Sequence, residues 1–166
     1  MRFGRTSAPQ VAVAAGERVL ASARAADGTV MAGTRDAFYV VSDGETRRVP
    51  WEQVEAADWD RDTETFRLSE VGTWGEERAV HSVKLAEPGR LLELVRERVT
   101  ASVILQRHVI LPGRRGLRVI ARRAPSGHHP VEWIYEYDEG VDPTDPTVAA
   151  AAREALELAR RDVGMP

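Results

Sequence analysis

Apolar positions along this 166-residue chain change their period near residue 88, separating a strand-rich part from a part that contains helices. Before that point, short apolar runs at 18–24, 29–33, 37–41, 47–49, 54–58, 65–71 and 79–85 are punctuated by turn chemistry. Asp27-Gly28, Arg35-Asp36, Asp43-Gly44 and the segments 60–62 and 72–75 separate them. Asp-Gly favours the tight turns that join antiparallel neighbours. Alternation is clearest in Phe66-Arg67-Leu68-Ser69 and Val80-His81-Ser82-Val83-Lys84-Leu85, where every second residue suits a core-facing position. The pattern predicts seven short antiparallel strands arranged as a sandwich or small barrel.

After Glu87-Pro88-Gly89 the apolar residues Leu91, Leu92, Val95, Val99, Val103 and Ile104 recur at three and four, which predicts a helix of about four turns. Pro88 suits its first turn. Further on, 117–124 and 131–138 read as a second hairpin around the turn 125–130. If Ile120 faces Ile134, then Arg118 faces Glu136 and Arg122 faces Glu132, while Leu117, Val119 and Ala121 stand beside Tyr137, Tyr135 and Trp133. A last helix is predicted over 146–162, with Asp145 as N-cap, Pro146 at the first position and Gly164 beyond its end.

Composition narrows the class. With 43% hydrophobic and 30% charged residues the chain is of the folded, globular kind. It has no cysteine, which excludes disulfides, thiolate metal sites and a cysteine nucleophile. No apolar run reaches the length of a membrane-spanning helix. Residues 1–16 carry two arginines and a small-residue stretch too short for a secretory signal, so they read as a leader and the expected location is the cytoplasm. The formal net charge of −3 gives no whole-molecule attraction to nucleic acid or anionic lipid.

Gly16-Glu17-Arg18-Val19-Leu20, Asp27-Gly28-Thr29, Gly33-Thr34-Arg35-Asp36-Ala37-Phe38-Tyr39 and Val49-Pro50-Trp51-Glu52-Gln53-Val54 together resemble bacterial pleckstrin-homology-like (PH-like) domains. The resemblance covers residues 17–106 and rests on order and pattern, with seven strands followed by one helix. It implies an α+β fold: a seven-stranded antiparallel PH-like barrel capped by that helix, with the hairpin and last helix of 107–166 packed on it. The lipid-binding relatives hold a phosphoinositide headgroup with several basic residues around the first hairpin. Arg24-Ala25-Ala26-Asp27-Gly28 supplies one arginine and one acid, so headgroup binding is not carried over.

Arginine dominates the chemistry of the last third. Residues 107–130 hold six arginines and no acid. One reading makes Arg107, Arg114, Arg115, Arg118, Arg122 and Arg123 a phosphate-contacting surface for nucleic acid. The other consumes Arg118 and Arg122 in cross-strand pairs and leaves Arg107, Arg114, Arg115 and Arg123 free. His128-His129 has no companion at ligand spacing, so no metal site is expected. Asp58, Asp60, Asp62 and Glu64 resemble a calcium loop but lack its glycine and its last glutamate. Neither a phosphate-cradling loop nor a nucleophile elbow occurs. The expected function is therefore a non-catalytic module without a cofactor that binds a protein partner or a second copy of itself. Trp74 (in a glycine-rich turn) and Arg107, Arg114, Arg115 and Arg123 are the candidate contacts. Nucleic-acid or anion binding through 107–123 is the alternative.

Overall fold

A computed structural model describes residues 9–73, 76–113, 115–127 and 129–164. The chain is α+β, with ten strands in three antiparallel sheets and two α-helices among the described residues. It divides into two compact units. The first holds residues up to Ala101 together with Ala124–Ser126, and the second holds the remainder.

In the first unit, strands β1 (Ala21–Arg24), β2 (Val30–Gly33), β3 (Ala37–Ser42) and β4 (Glu45–Pro50) form one meander. Asp43 and Gly44, both at positive φ (52° and 79°), make the β3–β4 turn. Two positive φ values in succession match the twist of the flanking strands. The seven strands do not close into one barrel. β5 (Val54–Asp60), β6 (Thr65–Glu70) and β7 (Val80–Lys84) make a separate sheet in the order β5-β6-β7. The division has a local cause. Pro50 ends β4 without an N–H to donate, and a 3-10 turn over Trp51–Gln53 redirects the chain before β5 begins.

Both sheets feed one core of Met31, Phe38, Val49, Trp51, Val54, Phe66 and Leu68. The Trp51 indole N–H donates to the Thr34 carbonyl at 3.0 Å, so the buried ring keeps its hydrogen bond. Helix α1 (Leu91–Ser102) adds Leu91 and Val95 to this core. Leu94 lies so close to Gly33 that a Cβ there would stand 2.6 Å from its Cδ2. The helix is shorter than its apolar stripe predicts. Val103 and Ile104 belong instead to β8 (Val103–Ile110), a strand the periodicity missed because three-and-four spacing and alternation share those two positions.

The second unit is a three-stranded sheet in the order β10-β9-β8, with β9 at Gly116–Arg122 and β10 at Glu132–Tyr137. Its β9–β10 register is the one that the charge pattern predicts: Ile120 opposite Ile134, Arg118 opposite Glu136, Arg122 opposite Glu132. Helix α2 (Pro146–Asp162) lies over β8 and β9, and buries Ala152, Ala155 and Ala159 against Leu117 and Val119. Alanines on that face let the helix approach the sheet closely. Asp145 caps it by accepting from the Thr147 and Val148 N–H groups at 2.8 and 3.4 Å, and Gly164 follows its end at φ 72°.

Candidate binding groove

Sheet order makes β5 an edge strand, hydrogen-bonded to β6 on one side and to no strand on the other among the described residues. A bulge between Val54 and Ala56 shifts its register, a feature that re-aims the residues following it. Two small residues come next, Ala56 and Ala57, then Asp58 and Trp59. Across from them α1 presents Leu92, Val95, Arg96, Val99 and Thr100. Between strand and helix lies a groove of about 360 Å³ with Phe66 at its base. A second hollow, of about 220 Å³, opens along β5 and shares Ala56, Ala57 and Asp58 with the first. The β5 rim is thus open on both flanks because its side chains there are short.

The groove floor is apolar and fixed. Ala57, Trp59, Leu92 and Val99 are half-buried and pack against the core of the unit. Trp59 is held by an N–H···O bond of 3.2 Å to the Leu85 carbonyl. Asp58 and Arg96 are exposed at the rim. Such a cleft offers burial for apolar side chains, an unused strand edge for main-chain hydrogen bonds, and one charge of each sign.

Elsewhere in this unit two carboxylates, Glu70 and Glu17, gather cationic and hydroxyl partners. Glu70 accepts from Arg47 Nε at 3.2 Å and Nη2 at 2.5 Å, and its Oε2 lies 2.7 Å from His81 Nε2. Burial pushes the Glu70 carboxyl up, but the bonds from Arg47 and His81 outweigh this and hold it below its ordinary value of 4.5. Glu17 accepts from Tyr39, from Arg48 Nη2 at 2.8 Å and from Thr34 Oγ1 at 3.3 Å. Burial raises its carboxyl too, and Arg48 and Tyr39 pull it below the usual range; burial and the Glu17 carboxylate raise the Tyr39 phenol. Tyr39 also accepts from the Ala14 N–H at 3.0 Å, while Val11, Val13 and Val19 pack on Ala32, Ala37 and Tyr39. Asp60 caps its own turn by accepting from the Asp62 and Thr63 N–H groups, which lowers its carboxyl.

The described arginines among the candidate contacts have partners within their own unit. Trp74 and Arg114 lie outside the described residues. Arg107 forms an ion pair with Asp162 on α2, and Arg115 Nη1 donates to the Glu139 carbonyl at 2.5 Å. These two arginines are therefore engaged within the unit rather than free. The cause is tertiary: residues 139 and 162 are remote in sequence and are brought back by the β10 edge and by α2. Arg123 is half-buried, its backbone N–H bonded to the Ser102 carbonyl at 2.9 Å. Arg118 pairs with Glu136 at 3.6 Å, and Arg122, 4% exposed, donates to Ser102 Oγ at 3.3 Å. His108 and Arg118 share the sheet face opposite to that of Arg107. None of the groove residues was singled out in the sequence as a contact. The α1 stripe and the β5 run are visible there, but the gap between them is not.

No family model, curated protein or solved structure matches the chain. No helix among the described residues is long and apolar enough to cross a membrane.

Proposed function

We propose that the chain is a non-catalytic interaction module whose first unit is a PH-like domain, and that it binds an extended peptide segment of a protein partner. The peptide adds to the outer edge of β5 and places apolar side chains in the groove beside α1. One observation carries this reading: the edge strand β5 lines, with Ala56 and Ala57, a largely apolar cleft of about 360 Å³. Strand addition draws affinity from main-chain hydrogen bonds and specificity from alternate side-chain pockets. Four strands, then three, then one helix support the PH-like reading, as does a buried Trp51 between the two sheets. The nucleic-acid alternative has less support, since Arg107, Arg115, Arg118 and Arg122 all have partners inside their own unit.

The test is selection of peptides from a random display library on the full chain, followed by amide-shift mapping of a selected peptide. Shifts are expected at residues 56–60 and 92–100. Thr100→Trp changes an exposed lip residue and closes the cleft, so it is expected to weaken binding about tenfold, equivalent to ~1.4 kcal/mol, with an unchanged circular dichroism spectrum. Shifts confined to other residues, or undiminished binding by the variant, would overturn the proposal.

A further inference from the structure

The second unit has a free strand edge of its own. Among the described residues β10 pairs with no strand but β9. Because α2 lies over β8 and β9, the helix-side face of β10 is left half-covered. That face carries Trp133, Tyr135 and Tyr137 at every second position, all half-buried.

The flank of α2 nearest to β10 is basic. Arg153 and Arg160, seven residues apart, fall on one side of the helix, and both are exposed. The Arg160 guanidinium stands 6.0 Å from the centre of the Trp133 ring, and both arginines act electrostatically on the Tyr135 phenol. Neither is in an ion pair among the described residues, in contrast to Arg107 and Arg118 of the same unit. The Tyr135 and Tyr137 hydroxyls likewise have no hydrogen-bond partner there. Beside an unused strand edge the structure therefore sets two cations and two hydroxyl donors, with no ion pair to neutralise them.

We infer that the β10 edge and the adjoining flank of α2 form a docking surface for a peptide strand that presents acidic side chains toward the helix. The occupant follows from what the surface offers. A strand edge supplies N–H and C=O groups at a peptide's own spacing, which a nucleic acid cannot pair with. Arg160 already covers Trp133, so the ring best suited to base stacking is taken. A second copy is disfavoured by charge. With both helices on one face, the two central registers of β10 with itself set Glu132 against Asp138 or against Glu136. On the face away from α2 the peptide meets Glu132, Ile134 and Glu136, so its intervening positions are apolar or basic rather than acidic.

The experiment titrates the labelled full chain with three probes and follows its amide resonances. They are an acetylated, amidated Glu-Val-Glu-Val-Glu-Val peptide, its Lys-Val counterpart, and an eight-residue uridine oligonucleotide. The glutamate peptide is expected to shift residues 132–138 and 149–161, to lose affinity as salt rises, and to lose about tenfold with Arg153→Ala plus Arg160→Ala. Both arginines are exposed, so the double variant is expected to keep its fold, checked by its own amide spectrum. Arg123→Ala, on a neighbouring arginine outside the surface, is expected to leave binding unchanged. The inference is overturned if the lysine peptide binds equally well, if the oligonucleotide alone binds, if the double variant binds as the parent does, or if no probe shifts β10.

Discussion

Glu70 stands at the end of β6 and receives Arg47 from β4 and His81 from β7. It thus ties together two sheets that share no backbone ladder in the first unit. The carboxylate is buried, its side chain 9% exposed, and Glu70→Gln removes its charge while keeping its shape. The loss expected is about 1–2 kcal/mol, the lower part of the range for a hydrogen bond to a charged group, because the Arg47 partner is exposed and screened by solvent. Its pH dependence has a definite sign. The folded carboxyl titrates below its ordinary 4.5, so its contribution is complete above that value and vanishes as pH falls through the lower folded value. Urea unfolding at pH 7 and at pH 3 checks this. The parent is expected to exceed the glutamine variant at pH 7, and the difference to be smaller at pH 3. Nothing in the sequence marks Glu70 apart from its neighbours, because its importance comes from residues 23 and 11 positions away.

At the level of elements, the β9–β10 pair shows how much a strand register owes to charge and shape. Arg118 opposite Glu136 follows from the pairing of Ile120 with Ile134, and the structure has both. The ion pair spans 3.6 Å and is open to solvent on both sides, so its worth is small, about 0.2–1 kcal/mol. Arg118→Glu is expected to destabilise by an amount in that range, and adding Glu136→Arg to restore most of it. A double-mutant cycle by chemical unfolding reads the coupling, and a coupling of zero would show that shape alone sets the register. β8 does not follow from pattern in this way. Its first two residues continue the helical stripe of α1, and a hydrophobic pattern does not state where a helix stops. The helix ends at Ser102, where the chain turns directly into a strand that pairs with β9 through Val103 and Arg122.

Across the whole molecule, each unit has hydrophobic clusters made of its own residues. Gly116 offers a probe of the second. A Cβ there would stand 2.2 Å from the Val109 carbonyl oxygen, a backbone atom that moves only if β8 moves. Gly116→Ala is therefore expected to cost about 1–3 kcal/mol, in the manner of an overpacked core. Hydrogen exchange is expected to show faster exchange through β8, β9 and β10, with the amides of β2, β3 and β6 keeping their protection. Uniform loss across both units would show that they open as one cooperative body.

Local chemistry was legible in the amino-acid order. The Asp43-Gly44 turn, the Asp145 cap and Pro146 start of α2, the β9–β10 register and the absence of thiol chemistry all depend on residues close in sequence or on one pairwise match. Tertiary structure alone decided the rest. It split the seven strands four and three at Pro50 and Trp51, and gave Arg107 and Arg115 partners from residues 162 and 139. It opened a groove between β5 and α1 and left Arg153 and Arg160 without an ion pair among the described residues beside β10. The physical reason is common to all four. Whether a charge is spent or available, and whether two apolar surfaces meet or leave a gap, depends on distances between elements that sequence periodicity does not encode.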